Sequence, residues 1–164
     1  MSLRPLVLAS TSPFRRELLA RLGLAFETAS PDVDESPLPG ESPVSLVERL
    51  GEAKARAVAP LFPQALIIGS DQVACIDDRV LGKPGDRQRA IAQLERASGR
   101  TVLFQTGLCL YDAAADRARA GEVGVKLVTV AGTDRALQGK EFLGEAAEDF
   151  QRRLLVVEKH VAPH

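Results

Sequence analysis

Tryptophan is absent from the chain and tyrosine occurs once, at Tyr111. Aromatic platforms on which single-stranded bases would stack are therefore largely missing. Histidine is confined to His160 and His164, and the two cysteines, Cys75 and Cys109, show no CxxC spacing. A structural zinc centre needs about four Cys or His ligands in close pairs, so it is excluded. Each cysteine sits in an apolar run (QVACID and TGLCLYD), where a buried, reduced thiol is expected. An excess of one charge is lacking too: 21 Lys and Arg face 22 Asp and Glu, a net −1. That balance excludes the basic footprint of a general nucleic-acid binder. No run approaches the ~20 apolar residues of a membrane span. The opening stretch MSLRPLVLASTSPFRR is too short in apolar residues for a secretory signal. The expectation is a soluble, cytoplasmic protein with neither a nucleic-acid nor a membrane partner.

What the chain does contain is enough apolar material for a core. Of 164 residues 45% are hydrophobic and 26% charged, which fits a single ordered domain over residues 1–164 and not a disordered segment. The pattern predicts an α/β fold. LVLAS at 6–10 reads as a short buried strand, and Ser12-Pro13 opens a helix whose apolar positions are Leu18, Leu19 and Leu22. A strand over 26–29 leads into the acidic, proline-rich loop SPDVDESPLPGES. Ser42-Pro43 starts a second helix that runs to about Val58, with Leu46, Leu50, Lys54 and Ala57 in one stripe. ALIIGSDQVACI is the strongest strand candidate, and Asp77-Asp78 turns it back into VLGKP as a hairpin. A third helix covers roughly 86–98. TVLFQTGLCLYDA and GEVGVKLVTVAG read as neighbouring strands across the turn AADRARA. An amphipathic helix is expected over about 136–155, carrying Phe142, Leu143, Ala146, Phe150 and Leu154.

Three places could carry chemistry. The first is SxSPxRR at 10–16, where Ser10, Ser12, Arg15 and Arg16 meet a strand-to-helix junction. Free N–H groups and the positive dipole end of a helix suit phosphate there, and arginine adds permanent bidentate donors. The competing interpretation is an ordinary cap followed by a solvated basic turn. The second is acidic: Asp32, Asp34 and Glu35 in one loop, and Asp71 inside an apolar strand. A solvated turn accounts for Asp32 and Asp34. It does not account for Asp71, which must be paired, metal-bound or functional. The third is Lys83, set between glycine and proline in LGKP. Lys54 lies in line with an apolar helix face, where it either snorkels or serves a site.

Neither Lys83 nor Lys140 completes a phosphate-binding Walker motif, and neither GxGxxG nor GxSxG occurs. Arginines, lysines and several carboxylates remain, a set that suits a nucleoside triphosphate held with a hard divalent cation.

Taken in order, LVLASTSPFRRELLARLGLAFETASPDVDES, LVERLGEAKA, LIIGSDQVACIDDRVLGKP and the helix ending in ASGR closely resemble the Maf-like nucleotide pyrophosphatases. The resemblance covers about residues 5–112, and beyond about 122 the chain departs from the family pattern. It implies a Maf/ITPase-like long mixed sheet flanked by helices, with two lobes around a nucleotide cleft. It implies an enzyme that hydrolyses nucleoside triphosphates to monophosphate and pyrophosphate with Mg²⁺ or Mn²⁺. GSDQV resembles the subgroup acting on 7-methyl-GTP. By motif position, Asp71 corresponds to the proton acceptor, and Ser10, Ser12, Arg15, Arg16, Lys54 and Lys83 to substrate-binding positions. Glu35 and Asp71 correspond to metal positions, Phe14 and Gln72 to positions that set base preference. A homodimer stays open. The competing expectation is a nucleotide-binding protein with impaired catalysis, because the last third lacks a recognisable nucleotide-site motif.

Overall fold

The computed structural model describes residues 4–82 and 85–129, with residues 122–129 as backbone alone. Lys83 and the expected helix at 136–155 lie outside the described residues. Among those described, one six-stranded mixed sheet is flanked by three α-helices. The order in the chain is β1 (Leu6–Ala9), α1 (Pro13–Ala20), β2 (Glu27–Ala29), α2 (Pro43–Val58), β3 (Leu66–Ile76), β4 (Arg79–Leu81), α3 (Arg87–Ala97), β5 (Thr101–Asp112) and β6 (Arg117–Thr129). No helix among the described residues is long and apolar enough to cross a membrane.

Helix starts follow the local chemistry. Ser12, Ser42 and Asp86 sit in extended backbone just before α1, α2 and α3, and each side chain accepts a backbone N–H from the first turn. Proline follows both serines, where its missing N–H costs nothing. The β3–β4 hairpin turns on Asp77 and Asp78, both left-handed at φ 47° and 59°, the signature of a type I′ turn. The β5–β6 turn is tighter than the sequence suggests: β6 begins at Arg117, because Asp116 adopts φ 46° and closes the reversal.

Strand order is β2-β1-β3-β5-β6, with β1, β2 and β3 parallel and β5 and β6 antiparallel. β4 pairs with β3 from Ala74 onward, whereas β1 pairs with it only as far as Gly69. On that edge the stretch Ser70–Val73 has no strand partner among the described residues. Right-handed crossovers carry β1 to β2 in one direction and β2 to β3 in the other, so α1 and α2 belong on opposite faces. The carboxyl ends of β1 and β3 thus form a topological switch point, the crevice where open α/β sheets hold ligands.

Two hydrophobic clusters occupy the two ends of the β3–β5 pair. Val7, Ala9, Ile67, Cys109 and Tyr111 pack with Ala55 and Val58 of α2. Ile76, Val102 and Phe104 pack with Ala97 of α3. Strand alternation puts the clusters on opposite faces, and Asp71 falls between them along β3. Both cysteines are buried and unpaired, and burial pushes both thiols up from their ordinary value.

The α2 stripe differs from expectation at one position. Its buried residues are Leu46, Val47, Leu50, Gly51, Lys54, Ala55 and Val58, while Ala57 is exposed. The helical period carries the inward face to Val58, where it meets Val7 and Ile67. Helix and sheet approach closely at glycines. A Cβ on Gly69 would lie 2.0 Å from the Gly51 carbonyl oxygen, and one on Gly107 would lie 2.3 Å from that of Val47.

Candidate active site

The close approach of α2 brings Lys54 over β3. Its Nζ donates to Asp71 Oδ1 at 2.5 Å and stands 2.7 Å from Glu35 Oε1. Lys54 is 5% exposed and Asp71 7%, so this is a buried ion pair reached at one end by a loop carboxylate. Taking two charges out of water costs several kcal/mol per ion and is recovered only with close, hydrogen-bonded partners. Snorkelling is thereby set aside for Lys54: its ammonium ends on carboxylates, not in solvent. Lys54 gathers Asp71 from the strand and Glu35 from the acidic loop into one cluster of net charge −1.

The loop after β1 supplies the cations. Ser10 Oγ accepts the Ser12 N–H at 3.1 Å, and Ser12 Oγ accepts that of Arg15 at 3.4 Å. Each hydroxyl keeps its own proton to donate. Ser10 is buried, Arg15 half-buried and Arg16 exposed. Neither arginine forms an ion pair among the described residues. Arg16 also lines a hollow of about 760 Å³ with Pro13, Glu17, Ala20 and the segment from Leu24 to Thr28. That hollow lies between α1 and β2 and includes neither Asp71 nor Lys54. The buried charges, and not the hollow, mark the site.

Asp71 and its neighbour Gln72 point to opposite faces. Asp71 faces α2, whereas Gln72 is exposed on the other face and donates from Nε2 to Thr106 Oγ1 at 2.7 Å, across its register partner on β5. Phe14, in the first turn of α1, is 37% exposed. The candidate Gln72 therefore stands on the face of β3 opposite the charged cluster. Asp32 is exposed on the same loop as Glu35. Asp34 Oδ1 accepts the Ser36 N–H at 2.9 Å, a local turn bond that holds its carboxyl below the usual range. The sequence gives Thr106 and Arg49 no role; Thr106 becomes visible only through the pairing of β3 with β5.

The Maf-like protein family model matches residues 5–141, which is most of the chain. The chain belongs to the Maf-like family. The match runs past residue 123, where the resemblance by motif fades. Curated relatives include the 7-methyl-GTP pyrophosphatase of a Polaromonas species, 64% identical over 107 residues, which are 65% of this chain and 49% of that protein. The enzyme of that name from Nitrosococcus oceani is 61% identical over 107 residues, covering 65% of this chain and 54% of the relative. That from Ralstonia nicotianae is 50% identical over 137 residues, covering 84% and 68%. The chain spans about half the length of the first two relatives. As a Maf-like protein it carries the GSDQV strand, the SxSPxRR junction and the Lys54–Asp71 pair, with Lys83 outside the described residues.

Proposed function

We propose that this chain hydrolyses a nucleoside triphosphate, 7-methyl-GTP first among candidates, to the monophosphate and pyrophosphate, and so removes non-standard nucleotides from the cytoplasm. The observation that carries the reading is the buried Lys54 joining Asp71 and Glu35 at the switch point; the loop after β1 adds two arginines that form no ion pair among the described residues. An anionic cluster facing a cationic loop suits a triphosphate bound together with a divalent cation.

Two gathered carboxylates are the usual protein share of a Mg²⁺ site that also takes substrate phosphate oxygens, so Glu35 and Asp71 fit that role. Mg²⁺ or Mn²⁺ held there would draw negative charge from the triphosphate and acidify a water. The chain's own groups do the rest. Arg15, Arg16 and the hydroxyls of Ser10 and Ser12 hold phosphate oxygens, with Lys83 assigned to the same task by motif position. Lys54 occupies Asp71 Oδ1 and leaves the second carboxylate oxygen to accept a proton. Water attacks the α-phosphorus and gives that proton to Asp71. The bond from the α-phosphorus to its bridging oxygen breaks, and the electron pair leaves on pyrophosphate. Positive charge near the leaving group is stabilising because it matches charge that develops during bond breaking. Gln72 and Phe14 set base preference from the other face.

The test is pyrophosphate release from 7-methyl-GTP with Mg²⁺ or Mn²⁺. Asp71→Asn should keep the fold by circular dichroism and keep nucleotide binding while turnover falls ~10²–10⁴-fold, as for loss of a general base. A kcat near that of the parent chain would remove Asp71 from the role. Binding without turnover in the parent chain would select the competing view of a nucleotide-binding protein.

A further inference from the structure

Glu35 is the member of the cluster that packing does not hold. Its side chain is 48% exposed, and it lies in a loop with neither strand nor helix from Ser30 to Ser42. Attraction between a half-exposed carboxylate and an ammonium is weak by itself, because solvent screens it and side-chain entropy opposes it. The loop nevertheless delivers Glu35 to within 2.7 Å of Lys54.

One side chain of α2 contributes to this. Arg49 Nε lies 2.6 Å from Glu41 Oε1 and its Nη2 lies 2.8 Å from Glu41 Oε2, a two-pronged contact. The same Nη2 donates to the carbonyl oxygen of Ser36 at 3.0 Å, the residue directly after Glu35. Glu41 Oε2 also accepts the Leu38 N–H at 2.9 Å. The segment from Ser36 to Glu41 is thus tied to Arg49 of α2 at both ends, and its middle is tied back to Glu41. With the Glu41 side chain only 7% exposed, water competes poorly for these bonds. Forked arginine contacts of this kind fix geometry as well as charge.

We propose that Arg49 is a positioning residue: by clamping Ser36 and Glu41 to α2 it holds Glu35 at Lys54. The role rests on the proposed reaction only in taking Glu35 as a site residue. Outer partners that orient a ligating group typically change metal affinity or activity by about 10–100-fold when removed.

The experiment is a double-mutant cycle between Arg49 and Glu35 in the full chain. It is read as kcat/KM for 7-methyl-GTP and, separately, as Mn²⁺ affinity by electron paramagnetic resonance without nucleotide. Arg49→Met should weaken both readings about 10–100-fold. Arg49→Lys, which keeps the charge but loses the fork, should recover part of the loss. Adding Glu35→Gln to Arg49→Met should cost little further, since the two residues act as one unit. Glu41→Gln provides a milder variant should Arg49→Met fail to fold, and it should weaken Mn²⁺ in the same direction. Additive losses in the cycle, or unchanged Mn²⁺ affinity in Arg49→Met and Glu41→Gln, overturn the proposal. A parent chain that turns over no nucleotide but binds Mn²⁺ with a coupled cycle would overturn the reaction and leave Arg49 in its role. A parent chain that binds no Mn²⁺ overturns both.

Discussion

Helices α1 and α2 both open on a serine cap followed by proline, yet α2 buries seven of its residues and α1 buries none. The cap fixes where a helix begins; what lies beneath decides whether its face is buried. α2 crosses β3 and β5 at the glycines and turns a lysine inward onto a carboxylate. α1 leaves Leu18 46% exposed, the turn after it leaves Leu22 67% exposed, and its first turn carries Arg15 half-buried and Arg16 exposed. In the proposed site one helix builds the floor and the other offers charge to the nucleotide. Mutations in α2 should therefore act first on stability, and mutations in the α1 cations on substrate handling.

The sharpest test of that division is Lys54→Met. It leaves Asp71 buried without its cation, and breaking a buried pair from one side typically costs ~3–5 kcal/mol. Urea unfolding should show that loss, and a change below about 1 kcal/mol would mean that Asp71 is solvated after all. The next effect contrasts two glycines at one contact. Gly69→Ala would place a methyl 2.0 Å from the Gly51 carbonyl oxygen and 2.8 Å from the Ala55 nitrogen, and overpacking of this sort costs roughly 1–3 kcal/mol or more. Gly51→Ala meets its nearest neighbour at 3.6 Å, an ordinary contact. Because alanine favours a helix interior over glycine by about 0.5–1 kcal/mol, that variant should be neutral or stabilising. Equal losses from the two would break the account of how α2 is seated. The smallest effect on stability belongs to α1. Arg16→Ala should leave the melting transition within about 0.5 kcal/mol of the parent and lower kcat/KM alike for 7-methyl-GTP and GTP. A shift in the ratio of the two substrates would instead move Arg16 to base recognition.

Much of this was legible in the residues. Strand and helix positions followed from apolar runs, serine-proline starts and the paired aspartates of the hairpin. Asp71 was conspicuous because a lone carboxylate in LIIGSDQVACI has no comfortable place without a partner. Lys54 was ambiguous, since helical spacing puts it on the inner face but cannot show where a long stem ends; the Asp71 contact decided it. Ala57 was misplaced because the i+11 step returns it beside Leu46 at the edge of the buried face, while the i+4 steps carry that face round to Val58. Arg49 and Thr106 went unseen for a different reason. Their roles depend on partners distant in sequence or on strand register, Glu41 and Ser36 for one and Gln72 for the other, and neither sequence window marks them.

The glycines under α2 have a consequence beyond close packing. Side chains alternate along a strand, so sliding β3 by one residue would exchange Asp71 for an amide or a hydroxyl beneath Lys54. Such a slide would also bring Ser70 or Ile68 under the Gly51 carbonyl, where only a residue without Cβ has room. Gly107 imposes the same restriction on β5, whose neighbours on the strand are Thr106 and Leu108. The two positions therefore act as registration marks. They make one alignment of strands and helix passable, and they tie the identity of the group facing Lys54 to the counting of residues along β3. A single insertion or deletion between Gly69 and Asp71 would exchange the two faces of the crevice while leaving the composition of the strand almost unchanged.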